Sequence, residues 1–283
     1  MKKGLFVGLA TLDLIYLTPN FPRQNEKIVA VDDTIATGGP ASNAAVAFAH
    51  LGNQANLLAV IGQHPISHLI KTDLVNYGVQ IWDLEPQKLT CPPVSSIIVT
   101  QRTGERAVIS LNATKSQAII EQLPPDILEG IDIILIDGHQ MAISEAIAQK
   151  AKAKNIPVVV DGGSWKKGFD RVLAGVDYAI CSANFYPPNC HDQEDVLNYL
   201  QQMDIPNVAI TQGEKPLIYW AADQRGKIPI TPIKAVDTLG AGDIFHGAFC
   251  HYILQQNFRN ALAGASKIAS DSCQFFGTRK WMN

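Results

Sequence analysis

Cysteine is scarce in this chain of 283 residues, and the five present (Cys91, Cys181, Cys190, Cys250 and Cys273) are scattered, with no Cys-x-x-Cys pair. An odd, unpaired set suggests neither a disulfide framework nor a zinc site and fits a reduced cytoplasm. Charge of one sign is also lacking: 23 Lys and Arg face 26 Asp and Glu, for a net charge of −3. The basic residues form no stripe, and the aromatics are not interleaved with them. That composition argues against a nucleic acid or an anionic membrane surface as partner. No apolar run approaches the roughly 20 residues that span a bilayer. The start, Met1-Lys2-Lys3-Gly4-Leu5, carries too short an apolar run for a signal peptide. There is no Gly-x-x-x-x-Gly-Lys-[Ser/Thr] loop, which excludes a P-loop nucleotide site. Internal repeats, low-complexity tracts and long linkers are absent as well.

What remains is an apolar, evenly built chain, 47% hydrophobic, long enough for one large core. Apolar runs at Leu57–Ile61, Ile131–Ile136, Pro157–Val160, Tyr178–Cys181 and Val208–Thr211 read as buried parallel strands. Helix-like segments lie around them at Ile66–Tyr77, Ser144–Lys154, Gln193–Gln202, Ala241–Gln256 and Phe258–Phe275. The alternation predicts a single α/β domain over 1–283, a doubly wound parallel sheet with helices on both faces. Two stretches break the pattern. Lys27–Thr37, and Val94–Leu111 around Arg102-Thr103-Gly104-Glu105, read as strands joined by turns. They predict a small β-sheet lid from strands within 12–37 and 94–111, set at an edge of the main sheet.

Two turns of small residues carry chemistry. Asp237-Thr238-Leu239-Gly240-Ala241-Gly242-Asp243 opens an apolar helix with a carboxylate in its first turn. Free N–H groups and the helix dipole at such a start suit an anion. Asp243 beside that anion could take a proton from an attacking hydroxyl while the Gly240, Ala241 and Gly242 amides stabilise a phosphoryl group. An acid that merely stabilises a helix start is the alternative. Gly38-Gly39-Pro40-Ala41-Ser42-Asn43 likewise feeds an apolar helix ending at Gly52. The Asn43 amide, donor and acceptor at once, suits a sugar hydroxyl or caps the helix. Asp13 follows the strand-like run Leu5–Ala10, as a binding acid or a loop acid.

In order and along nearly the whole chain, these pieces resemble the ribokinase-like (PfkB-type) carbohydrate kinases, with the nearest look to the ketohexokinase branch. Asp237–Asp243 is similar to the family's C-terminal signature, Gly38–Gly52 to its N-terminal one, and Gly8–Asp13 to its first substrate-binding strand end. The resemblance implies an ATP-dependent kinase of a small sugar (a ketohexose, ribose or sugar acid), with Asp243 as general base. It implies that Asp13, Gly39 and Asn43 hold the sugar and that Arg106, whose alternative reading is a solvated hairpin arginine, reaches phosphate from the lid. Thr211-Gln212-Gly213 looks like the family's nucleotide-contacting turn, and Phe276-Gly277-Thr278 like its adenine-side loop. Asn184 is similar to the Asn of an Asn-x-x-Glu motif that organises Mg²⁺, but Pro187 stands where Glu is usual. Asp237 and Thr238 sit where relatives bind a monovalent cation such as K⁺. A homodimer through the lid is implied too. Ketohexokinase of the human type has Asn where this chain has Pro40. A nucleoside kinase on the same scaffold, or a sensor that binds sugar or nucleotide without turnover, are the alternative readings.

Overall fold

The computed structural model describes residues 1–111, 117–222 and 224–283. In chain order the strands are β1 (Lys3–Gly8), β2 (Thr11–Thr18), β3 (Asp32–Gly38), β4 (Gln54–Ala59), β5 (Val79–Asp83), β6 (Val94–Thr100), β7 (Arg106–Ser110), β8 (Ile133–Ile136), β9 (Val158–Gly162), β10 (Tyr178–Ser182), β11 (Asn207–Gln212), β12 (Lys215–Ala221) and β13 (Gln224–Ile228). The helices are α1 (Pro40–His50), α2 (Pro65–Asn76), α3 (Met141–Ala153), α4 (Phe169–Leu173), α5 (Gln193–Gln202), α6 (Ala241–Ile253) and α7 (Phe258–Ser272).

A nine-stranded sheet runs β13-β12-β11-β10-β9-β8-β1-β4-β5. From β11 to β5 every pair is parallel, and the hairpin of β12 and β13 adds an antiparallel edge. Parallel strands need both faces covered, and the sequence supplies that. On β1, Leu5 and Val7 point into one apolar cluster with α3, α4 and α5 side chains such as Ile143, Phe169 and Leu200. Phe6, between them, points into the other, with Phe48 of α1, Phe249 of α6 and Leu262 of α7. Fully burying each such side chain contributes about 1.5–3 kcal/mol.

A second, four-stranded sheet runs β3-β2-β6-β7, separate from the first. Its inner face sets Ile15, Leu17, Ile97 and Val99 against Phe276 of the C-terminal segment. The small sheet is therefore seated over the loops at one end of the large one. Among the described residues, no helix is long and apolar enough to cross a membrane.

All five expected strands and all five expected helices form, with ends shifted by a few residues except for Gln193–Gln202. The lid differs in detail: residues 27–31 are not strand, and Asp13 lies inside β2 rather than after a strand. The reading also lacked β5 and the β12–β13 hairpin. Pro216 lies inside β12 and argues locally against a strand.

One buried carboxylate ties three chain segments at the carboxyl end of the sheet. Asp137 follows β8 and accepts from the Leu9 amide (2.9 Å), the Ala41 amide (3.1 Å) and the His139 amide (2.9 Å). Gly8 admits it, because a Cβ there would lie 1.9 Å from Asp137 Oδ1. Burial alone would raise its pKa. The adjacent His139, the Leu9 N–H and Lys166 hold it below the usual carboxylate range instead. Asp137→Ala leaves three amides without their acceptor, so unfolding in urea should show a loss of about 3 kcal/mol or more. A loss under about 1 kcal/mol would contradict this role.

Candidate active site

The loop from β1 to β2 and the start of α1 meet through glycine. Gly39 has φ +96°, and a Cβ on it would fall 2.3 Å from the Leu9 carbonyl oxygen. Pro40 then occupies the first helical turn, where its missing N–H costs nothing. Ser42 donates to the Leu9 carbonyl at 2.9 Å, which fixes the helix start against the end of β1.

Helix α1 crosses α6 at close range. Gly247 makes this possible, since a Cβ there would be 2.2 Å from the Ala44 carbonyl oxygen and 2.8 Å from Ala47 Cβ. The crossing brings a buried amide and a half-buried carboxylate together. Asn43 Nδ2 donates to Asp243 Oδ2 at 2.8 Å. Gly240 begins α6 in a left-handed conformation, φ +71°, and no side chain caps the helix. The Ala241 amide makes a long hydrogen bond to the Thr238 carbonyl (3.4 Å), and no side chain caps the first-turn amides of Gly242 and Asp243. Nothing lies within 4 Å of where a Gly242 Cβ would be, so the turn has open space beside it.

Burial pushes the Asp243 carboxyl up to about 7, and the nearby Asp161 carboxylate adds to the effect. The Asn43 hydrogen bond, His246 and Arg106 act in the other direction. His246, one turn further along α6, has Nδ1 2.7 Å from the Gly242 carbonyl and Nε2 3.2 Å from the Ile180 carbonyl. The same ring lies 3.5 Å from Asp161 Oδ2. His246 therefore anchors the first turn of α6 to β10 and faces Asp161 on β9.

Asp13 projects from β2 on the inner face of the lid, where it is buried. Thr11 donates to it at 2.8 Å, and burial raises its pKa against the pull of Thr11, Ser95 and Arg279. Gly38 on β3, diagonal to it across the pair, leaves room for this carboxylate, because a Cβ there would be 1.9 Å from Asp13 Oδ2. Asp237 links two loops: Oδ1 accepts from the Leu239 amide (2.8 Å) and Oδ2 from the Gly277 amide (2.9 Å). Arg106, exposed at the start of β7, donates Nη1 to the Thr238 carbonyl (3.1 Å) and hydroxyl (2.7 Å). This contact ties the lid to the loop that opens α6.

On the other flank, Asn184 follows β10 and is exposed, its amide donating to Ser182 Oγ at 3.1 Å. Thr211 is the penultimate residue of β11, paired in register with Ser182, and donates to the Cys181 carbonyl at 3.4 Å. Gly213 turns the chain into β12 at φ +64° with open space around it. Gly277, φ +76°, sits under the lid, 3.0 Å from Thr34 for a Cβ placed on it. Pro187 is buried, and Glu194 is engaged by Arg225 at 2.7 Å. Among the described residues, no group of three or more His, Cys, Asp and Glu is placed to hold a metal ion.

The sites read from the sequence thus fall into two sets along one edge. Asp13, Gly39 and Asn43 gather over β1 beneath the lid, Asn184, Thr211 and Gly213 over β10 and β11, and Asp243 faces Asp161 of the intervening β9. Sequence reasoning missed Arg279, a buried residue that donates Nη1 to Asn43 Oδ1 at 2.9 Å. It also missed the structural part of Asp137 and the ring of His246. Nothing local marks any of the three.

A carboxylate beside an uncapped, glycine-led helix start at the carboxyl edge of a parallel sheet, roofed by a small sheet, defines a phosphotransferase with an alcohol acceptor. The chain matches the pfkB family of carbohydrate kinases along residues 1–282 and belongs to that family. It is 26% identical to a deoxyribokinase of Salmonella typhi over 265 residues, covering 88% of this chain and 85% of that one. It is 25% identical to the ribokinase of Bacillus subtilis over 298 residues, covering 100% and 96%. Among solved structures, the fold is shared with a ribokinase from Giardia lamblia (TM-score 0.82, 18% identity, 100% and 96% covered). It is shared too with Arabidopsis thaliana ribokinase complexed with ribose and ATP (TM-score 0.75, 19% identity, 100% and 98% covered).

The raised Asp243 pKa has a consequence for stability. The folded state holds this proton more tightly than the unfolded chain, so its contribution to stability is lost as pH rises towards 7. Asp243→Asn removes the penalty. The variant should melt above the wild type at pH 8, by a margin that shrinks towards pH 4. Equal or lower melting at pH 8 would mean that the carboxylate is not held at a cost.

Proposed function

We propose that the protein is an ATP-dependent kinase of a small sugar, a ketohexose, ribose or sugar acid, with Asp243 as general base. The observation that carries this reading is the position of Asp243. It stands at an uncapped helix start between the two sets of groups, with a pKa lifted to about 7, suited to accepting a proton near neutrality. The ribokinase and deoxyribokinase relatives, and a ribokinase fold seen with ribose and ATP, support a small sugar and ATP and favour the pentose among the sugars named.

In this reading Asp13, Gly39 and Asn43 hold sugar hydroxyls beneath the lid. The attacking hydroxyl gives its proton to Asp243 as its oxygen bonds to the γ-phosphorus. The bond from that phosphorus to the bridging oxygen breaks, and ADP leaves. The amides of Gly240, Ala241 and Gly242 stabilise the charge on the transferred group. Arg106 docks the lid on Thr238, with its other N–H groups available to phosphate. Asn184, Thr211, Gly213 and Gly277 hold the nucleotide.

Mg²⁺ neutralises phosphate oxygens when bound with ATP. The residues present do not form an all-protein magnesium cage. They fit an ion held by phosphates and water, with Asn184 nearby and no carboxylate at position 187. A monovalent cation fits less well. The positive Arg106 guanidinium already sits on both Thr238 oxygens, while the Asp237 oxygens, each accepting one backbone N–H, keep a lone pair. No step is assigned to such an ion. The outer lid face exposes Tyr16, Ile35 and Ile109, the last at 72%, which supports a homodimer through the lid. Reduced cysteines and a cytoplasmic setting belong to the same reading.

Asp243→Asn should keep the KM values for sugar and ATP close to wild type and lower kcat by about 10²–10⁴. The wild-type kcat should rise with pH along a limb centred near 7, since only the deprotonated carboxylate accepts the proton. Near-normal turnover in the variant, read as ADP release, would remove Asp243 as the base.

A further inference from the structure

Residue 279 reaches from the C-terminal segment to the first turn of α1. Arg279 is 9% exposed, and its guanidinium is held on several sides. Nη2 donates to the Thr37 carbonyl (2.7 Å) and to Asp73 Oδ2 (3.0 Å). Nη1 donates to Thr278 Oγ1 (3.0 Å) and to Asn43 Oδ1 (2.9 Å), and the Tyr77 ring centroid lies 5.3 Å from the guanidinium carbon. Desolvating this cation is costly, and the single carboxylate that pairs with it, Asp73, lies on α2, away from the reacting groups. Its contact with Asn43 connects it to Asp243, and its charge also acts on Asp13 beneath the lid.

The Asn43 side-chain amide has two ends of opposite polarity. Its NH₂ faces the Asp243 carboxylate, and its oxygen faces the Arg279 guanidinium. Rotating the amide by half a turn would set N–H against N–H and oxygen against carboxylate, two repulsions in a buried place. We infer that Arg279 is a positioning residue for phosphoryl transfer, locking Asn43 in the one orientation that donates to Asp243. The chain Asp73–Arg279–Asn43–Asp243 runs through four separate elements, so the base is oriented by the C-terminal segment. This deepens the kinase reading above, but the geometry of the lock does not depend on turnover.

The charged and titratable groups around Asp243 are Asp161 from β9, His246 from its own helix and Arg106 from β7, with the Asn43 amide from α1. Arg279 acts on it through Asn43. Removing the lock should therefore weaken one hydrogen bond to the carboxylate and make it harder to ionise.

The test is the titration of Asp243 by ¹³C NMR of aspartate-labelled protein, with kcat against pH measured in parallel. Arg279→Met should raise the Asp243 midpoint by about half a unit or more. It should move the acid limb of kcat by the same amount and lower kcat by about tenfold or more, with the KM for ATP little changed. In the Asn43→Ala background, Arg279→Met should shift the midpoint no further, because the path through Asn43 is already cut. Should Arg279→Met not fold, Arg279→Lys, which keeps the buried cation but not the fork, carries the same comparison. An Asp243 midpoint unchanged in the Arg279 variants would reduce Arg279 to a folding anchor, whatever happens to the melting temperature. Additive shifts in the double variant would mean that it acts by another path. Wild-type protein without turnover on any acceptor would overturn the kinase reading while leaving the NMR comparison able to confirm or overturn the lock.

Discussion

The close crossing of α1 and α6 is the constraint on which the site depends. Two helices from opposite ends of the chain approach so tightly that Gly247 has no room for a methyl group against Ala44 and Ala47. Ridge-and-groove contact at that distance requires small side chains. The runs Ala44-Ala45 and Gly247-Ala248 provide them. One turn from the crossing point the same proximity sets Asn43 2.8 Å from Asp243. A larger residue at 247 would part the helices and break the Asn43–Asp243 pair. The apolar core and the polar site are thus consequences of one packing choice.

The polar groups at the carboxyl edge divide into those that hold the fold and those kept at a cost. Asp137 belongs to the first kind: buried, charged and supplied with three amide donors, it ties β1, β8 and α1 together. Asp161 and Asp243 belong to the second: burial pushes both up, with the Asp137 carboxylate adding to the effect at Asp161 and the Asp161 carboxylate adding to it at Asp243. Carboxylates held this way are easily protonated, and the folded state is destabilised in proportion when they ionise. The lid closes this arrangement from above. Its inner apolar cluster rests on Phe276, and Arg106 grips Thr238, so the loop entering α6 is held from both sides.

Features carried by adjacent residues were legible in the sequence. The glycine turns at 38–39 and 240–242, the helices they open and the buried parallel strands all follow from local pattern. The resemblance built on them named Asp243 and Asn43, which the fold brings into contact. What could not be read is what distance in the chain conceals. Asn43 and Arg279 lie 236 residues apart, and Leu9 and Asp137 lie 128 apart. The position of Asp13 was misread because only Leu9 and Ala10 separate β1 from β2, too few residues to signal a change of sheet. The edge hairpin escaped because Pro216 and the charged residues of β13 weaken the strand pattern.

The most direct measurement is ADP release from Mg-ATP with fructose, ribose, other small sugars, sugar acids and nucleosides as acceptors, wild type beside Asp243→Asn. Turnover on a small sugar that disappears in the variant is the result expected of a kinase built around this carboxylate. Turnover on nucleosides alone, or no turnover on any acceptor while ATP and sugar still bind, would contradict it, and the second outcome would turn attention to Pro187.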